Sequence, residues 1–209
     1  MKLYAHHVPG WLHSMYSSRL IWSKQAENTI YLTFDDGPHP VITPWLLDLL
    51  KSFNASATFF LLGKNIRKYP HLVDRMVHHG HVIGNHKYNH LNGWITREKT
   101  YVDDIEECQT IIRKHSNNCQ FFRPPYGKIT RTQVSRLAGT YEIVLWNWMT
   151  GDFDQQLNLS KVQGRLSLAK PGSIIVFHEN EKSKKNLQWL LPRILTDFQL
   201  KGYNFKQLD

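Results

Sequence analysis

Cysteine is almost absent from this 209-residue chain: Cys108 and Cys119 are the only two. Two cysteines cannot build a disulfide framework or a cysteine-based zinc site; two free thiols are expected, with a single bridge as the alternative. Acidic residues are also in deficit, with 17 Asp+Glu against 26 Lys+Arg and a formal net charge of +9. Such a balance suits an anionic polymer or surface. No recognition-helix pattern or basic-aromatic module accompanies it, so nucleic acid is not expected as a partner. The densest basic run, Lys182-Ser183-Lys184-Lys185, reads as a solvated loop. No apolar run is long enough to span a bilayer, and the first ten residues break up before a signal-peptide core can form. On the chain alone the expected location is cytoplasmic.

What is present is a regular alternation. Short β-branched or aromatic runs at 29–34, 57–62, 81–84, 120–123, 142–146, 173–177 and 204–206 predict strands. Helical patterns lie between them, at 43–50, 71–79, 96–115, 130–137, 160–169 and 187–200. In the first, Thr43 is the expected cap with Pro44 at the first turn. Strand-helix alternation implies a parallel sheet, as a small imperfect barrel or an open doubly wound sheet. A single domain over 28–209 is expected, with residues 1–27 as an arm packed on it. Polar clusters follow the strands, where parallel α/β folds place their active sites.

Asp35 and Asp36 close the first run, just before Gly37-Pro38. Adjacent carboxylates repel, and a fold accepts them where a cation or a proton transfer needs them. Neighbours on a strand point to opposite faces, so the two acids are expected to divide the work. His86 and His90, four apart, can converge on a metal if the segment is helical or tightly turned, with Asp36 as third ligand. The residue after His86 is Lys87, so the glutamate of the His-Glu-x-x-His motif is missing and Asp35 becomes the candidate base. Most of the other ten histidines, His78, His79 and His81 among them, are expected to be surface or core.

Three further clusters carry possible chemistry. Arg123-Pro124-Pro125-Tyr126-Gly127 fixes backbone just past a strand, where a rigid N–H can face a reacting oxygen and Arg123 can pair with a carboxylate. Trp146-Asn147-Trp148-Met149-Thr150-Gly151-Asp152-Phe153-Asp154 mixes aromatic and polar residues, as a sugar-stacking wall or as core. Ser173-Ile174-Ile175-Val176-Phe177-His178 puts an imidazole at a strand tip, a possible general acid.

In this order the clusters resemble the polysaccharide deacetylase family, the carbohydrate esterases that share the NodB homology domain. The matching residues are Thr33-Phe34-Asp35-Asp36-Gly37, His86 with His90, Arg123-Pro124-Pro125-Tyr126, the stretch from Asn147 to Asp152, and the strand ending at His178. The resemblance implies a distorted (β/α) barrel of about seven parallel strands. It also implies metal-dependent removal of N-acetyl groups from amino sugars. Asp36, His86 and His90 would hold a divalent metal, with zinc favoured. Asp35 would be the general base, held by Arg123. Tyr126 would offer its backbone N–H to the oxyanion, and His178 would be the general acid, oriented by Asp152. Pro125, Trp146, Phe153 and Lys87 are expected to face substrate.

Three positions depart from the family pattern. Lys87 stands where Ser or Thr is usual, and could read an anionic substrate or point to solvent. Asn147 replaces a common Asp and Phe153 a common Trp. Two other readings stand beside deacetylation of a glycan, oligosaccharide or glycolipid: hydrolysis of another non-peptide C–N bond, in a small amide or formylated sugar, and a carbohydrate-binding homologue with a vestigial site. Without an export signal, a cytoplasmic precursor, an oligosaccharide or a lipid-linked sugar is expected rather than a mature wall polymer.

Overall fold

Strand β2, Thr29–Asp35, is buried at every position, and its two faces serve different cores. Ile30, Leu32 and Phe34 pack outward against helices. Tyr31 faces inward with Ile174 and Val176, and Thr33 and Asp35 share its face by strand alternation. A strand buried on both sides reads as an unbroken apolar run, which is why it was legible.

The computed structural model describes His7, residues 18–117 and residues 119–209. Around β2 lie β1 (Leu20–Ile21), β3 (Thr58–Leu61), β4 (Val82–Asn85), β5 (Phe121–Phe122), β6 (Glu142–Val144), β7 (Trp148–Met149), β8 (Ile174–His178) and β9 (Asn204–Lys206). They form one sheet in the order β1-β6-β5-β4-β3-β2-β8-β7, with β9 added to β2. All these strand pairs are parallel. The helices are α1 (Ile42–Ser52), α2 (Gly63–Lys68), α3 (Pro70–His78), α4 (Glu98–Ile112), α5 (Arg131–Leu137), α6 (Leu159–Leu166) and α7 (Lys184–Leu200). This is the expected α/β architecture, a curled sheet with a filled lumen.

The barrel is distorted at one seam. β6 and β7 belong to one run of chain, yet β6 pairs with β5 and β1 while β7 pairs with β8. Between them Asn147 mends the break: its Oδ1 accepts from the Ile174 N–H at 2.9 Å. The departure at Asn147 therefore belongs to the sheet, at the end of β8 opposite His178. The segment after β1 spans the seam, where the Lys24 N–H donates to the Gly172 carbonyl at 2.9 Å and Ser23 bridges Ser173. Of the expected N-terminal arm, 1–6 and 8–17 lie outside the described residues.

Three local expectations change. Thr43 is inside α1 rather than capping it; its hydroxyl accepts from the His39 N–H and contacts Glu179. Helix α2, short and polar, and strands β1 and β7, of two residues each, were not expected. Thr130 does cap α5, in a reciprocal box with Gln133. Cys108 and Cys119 are free and buried.

Candidate active site

Four strand ends converge at one end of the barrel. β2 and β8 are paired with Asp35 opposite His178, β4 leads into His86, and β5 leads into Arg123. The loops that follow are tightly bent. Asp36, Lys87, His90 and Tyr126 have φ of 79°, 74°, 63° and 61°. Left-handed backbone at non-glycine residues costs about 1–3 kcal/mol each and collects at functional sites. All four positions lie in the site loops.

Asp36 Oδ1 is 3.3 Å from His90 Nε2 and 3.7 Å from His86 Nε2. One ligand atom from each of the three lies within 4.8 Å of the others. The pair His86/His90 meets through a tight turn, not a helix. His86 Nδ1 lies 2.8 Å from the Arg123 carbonyl oxygen. A carbonyl only accepts, so Nδ1 donates to it and Nε2 is the nitrogen turned toward Asp36. His90 is pushed down to about 4 by burial, then by His86, against the pull of Asp36 and Asp35. Its imidazole is therefore neutral at pH 7. Burial opposes the charge on Asp36, but His86, His178 and His90 and a hydrogen bond from Asn180 Nδ2 at 2.7 Å outweigh it and lower its pKa. One carboxylate oxygen and two imidazole nitrogens converging within 4.8 Å fit a divalent cation, and the N/O donor set suits zinc.

Asp35 is held apart from this triangle. Its Oδ1 accepts from Arg123 Nη1 at 2.8 Å, and Oδ2 is 3.9 Å from His86 Nε2. Arg123 is fully buried. It also donates to Thr33 Oγ1 at 2.8 Å and to the Val144 and Leu145 carbonyls at 3.3 and 2.9 Å, and its guanidinium lies over the Phe60 ring. Across the site, Asp152 grips His178 twice: Oδ1 accepts from the ring Nδ1 at 2.7 Å, and Oδ2 from the backbone N–H at 2.8 Å. Burial disfavours the imidazolium, but the charge and hydrogen bond of Asp152, then Asp36 and Asp35, raise the His178 pKa to about 9.

The substrate-facing expectations divide. Pro125 is buried at the start of the Pro125–Gly127 turn. Tyr126 is exposed, its ring edge-on to His90 with centroids 4.5 Å apart. Phe153 stands edge-on to His178 at 4.9 Å. Trp146 is only 9% exposed and lies beneath Gly127, where an added Cβ would meet it at 3.0 Å. It backs the loop and offers little face to a sugar. Lys87 is a correction. It neither points to solvent nor faces a ligand: its left-handed backbone turns it inward, where it is fully buried. Its Nζ donates to the Tyr101 carbonyl at 3.1 Å, sits 3.3 Å from the Tyr101 ring centroid and is 3.8 Å from Asp104 Oδ2.

Sequence reasoning missed three residues here. Asp104, on α4, accepts from the Tyr88 and Asn89 N–H groups at 3.1 and 3.2 Å and from Asn89 Nδ2 at 2.8 Å, fixing the turn that carries both histidines. Asn180 orients Asp36. Glu179 is buried, and burial raises its pKa well above the usual range; a Cβ on Gly37 would run into its carboxyl group. Position directly after the strand tip at His178 was the available signal for Glu179 and Asn180. Asp104 had none, being a helix residue among several acids.

Known proteins resemble this chain in sequence and in fold. A family profile described as polysaccharide deacetylase matches residues 23–142. A peptidoglycan-N-acetylglucosamine deacetylase of Bacillus cereus is 34% identical over 183 residues, covering 86% of this chain and 85% of the relative. The Bacillus subtilis peptidoglycan-N-acetylmuramic acid deacetylase PdaA is 32% identical over 195 residues, covering 88% and 71%. The crystal structure of the Bc1960 peptidoglycan N-acetylglucosamine deacetylase in complex with 4-naphthalen-1-yl-N-oxidanyl-benzamide superposes with a TM-score of 0.86 at 32% identity. It covers 96% of this chain and 95% of that one.

Proposed function

The chain belongs to the polysaccharide deacetylase family, and from that premise we propose that it hydrolyses the N-acetyl amide of an amino sugar within a glycan, as a metal-dependent enzyme. Its relatives in Bacillus act on peptidoglycan, which makes an N-acetylated sugar of a wall-type glycan, or of a precursor or fragment of one, the favoured substrate. The carrying observation is the pairing of two proton-handling groups beside one ligand triangle. Asp35 is coupled to a buried guanidinium, and His178 is coupled to a buried carboxylate. A carboxylate paired with a guanidinium on one side and an imidazole paired with a carboxylate on the other give the two groups separate roles.

A divalent cation held by Asp36, His86 and His90 would supply Lewis acidity toward the amide carbonyl and a bound water. Asp35, with Oδ1 tied to Arg123, keeps Oδ2 for the proton of the attacking water. The Tyr126 N–H, set by the Pro124-Pro125 turn, faces the carbonyl oxygen as negative charge develops there. His178, protonated at neutral pH, delivers its proton to the leaving amine, and Asp152 keeps the ring aimed. Proton transfer by each group contributes roughly 10²–10⁴ in rate.

Metal content together with acetate release tests this reading. Chitooligosaccharides, peptidoglycan fragments and small amides serve as the panel. Acetate from the sugars, lost with a chelator and restored with zinc, is expected. Release from small amides alone would move the activity to another C–N bond, and glycan binding without any hydrolysis would make the protein a binding homologue.

A further inference from the structure

Resting on the deacetylase reading, we propose that Trp94, Tyr126 and Lys128 form a rim that seats the sugars next to the one being deacetylated, and that it favours chains of N-acetylated amino sugars bearing carboxylates. Three of the exposed large apolar side chains among the described residues fall together here: Trp94 at 62%, Ile95 at 84% and Tyr126 at 61%. They are contiguous with the site. The Tyr126 ring packs on the ligand His90, Lys128 Nζ is 6.0 Å from the Tyr126 ring centroid, and the same Nζ is 5.0 Å from that of Trp94. A path of aromatic surface with one cation along it thus leads outward from the cleft.

The rim is built rather than draped. Trp94 and Tyr126 sit on different loops, and the two loops are stitched together. Gly93 lies against the Lys128 backbone so closely that a Cβ would collide with the Lys128 carbonyl oxygen. Gln133 donates to the Gly93 carbonyl at 2.9 Å while accepting from the Thr130 N–H at 3.0 Å. The Trp94 N–H is tied to Asn92 Oδ1 at 3.0 Å. Order already present in the free protein lowers the entropy cost of binding. The proposed oxyanion contact uses only the backbone N–H of Tyr126, so its ring and Trp94 are free for another task.

Pyranose rings present flat C–H faces and polar edges, which rigid amphipathic aromatics match. Among the described residues no carboxylate forms a salt bridge with Lys128, so its charge is available to one on the ligand. An acidic substituent on every second sugar would bring such a group past it.

Kinetics on three substrates test the rim: an N-acetylglucosamine monosaccharide, a neutral N-acetylglucosamine tetramer, and a peptidoglycan glycan fragment carrying carboxylates. For Trp94→Ala, the ratio of kcat/KM on either oligomer to that on the monosaccharide is expected to fall about tenfold, through KM. For Lys128→Gln, the loss falls on the carboxylate-bearing fragment alone and removes the salt dependence of its KM. Tryptophan fluorescence gives a readout apart from turnover. In an Asp35→Asn background with chelator present, Trp94→Ala should weaken tetramer binding about tenfold. Unchanged oligomer KM and unchanged binding in Trp94→Ala would overturn the rim, and equal losses on neutral and acidic oligomers in Lys128→Gln would overturn its preference for carboxylates. Oligomer binding that needs Trp94, with no acetate released by the wild type, would keep the rim and refute deacetylation.

Discussion

Replacing Asp152 by Asn removes one charge from the pair at His178 and changes almost no volume. The wild-type imidazole stands at about 9 against an ordinary 6.5, a displacement worth about 3 kcal/mol. Without the carboxylate charge, burial outweighs the smaller pull of Asp36 and Asp35 and the pKa is expected to fall to 6.5 or below. At pH 7 the imidazolium fraction then drops from about 99% to at most about a quarter. That accounts for a roughly fourfold loss of acid catalysis, whereas a group that also loses its aim costs up to about 10²–10⁴. The pH profile separates the two effects: loss of charge alone is recovered near pH 5.5, and loss of aim is not. Folding stability gives an independent reading. A histidine whose folded pKa is raised contributes stability that is complete below 6.5 and disappears as pH rises through 9. In chelator, where only the protein's own charges act, Asp152→Asn should cost about 3 kcal/mol at pH 6 and nothing from this linkage above pH 9.5. Urea melts across that range, with the His178 ring followed by NMR, are the assay. A ring that titrates at the same pH in both proteins would refute the argument.

Four further outcomes are expected. Asp35→Asn should retain metal, measured by competition with a chromophoric chelator, and lose about 10²–10⁴ in kcat, equivalent to about 3–5 kcal/mol of barrier; full turnover would remove Asp35 from the mechanism. His86→Ala should weaken metal binding by more than about 100-fold, beyond the loss an outer hydrogen-bond partner causes; intact affinity would break the ligand assignment. Asp104→Ala should destabilise the fold by about 1–3 kcal/mol in denaturant melts, because it removes the buried acceptor that braces the Tyr88–Asn89 turn. His81, lowered to about 4 by burial and then by His79, accepts from the Ala57 N–H at 3.2 Å. Its contribution is present above 6.5 and is lost as pH falls through 4, about 3 kcal/mol in all, so His81→Asn should move the acid unfolding midpoint, followed by circular dichroism, to lower pH.

The long strands were legible because a parallel sheet buried on both faces writes itself as apolar runs, as in β2 and β8. The division between Asp35 and Asp36 was legible from alternation, since one closes the strand and the other opens the turn. Lys87 was not. Its direction is set by a left-handed backbone angle inside the turn, and its acceptors come from α4, fourteen or more residues away in sequence. Trp146 read as either wall or core because strand parity leaves both open; packing beneath Gly127 decides it. The break between β6 and β7 was invisible for a related reason. The sequence predicts one strand over 142–146 and nothing for 148–149, and the change of partner depends on a side chain, Asn147, standing in for a strand neighbour.

Arg123 reaches from the end of β5 to the carbonyls of the β6 end and to Thr33 and Asp35 on β2. It therefore fastens opposite walls of the lumen close to the seam where the sheet changes partner. The group that pairs with the proposed base is also a tie-rod of the barrel. Selection for a folded protein at this position is selection for a charged Asp35 partner, so a relative that abandoned catalysis would still be under pressure to keep Arg123. His178 and the proposed metal ligands, whose hydrogen bonds join only neighbouring strand ends, are the positions where a loss of activity would first be written into the sequence.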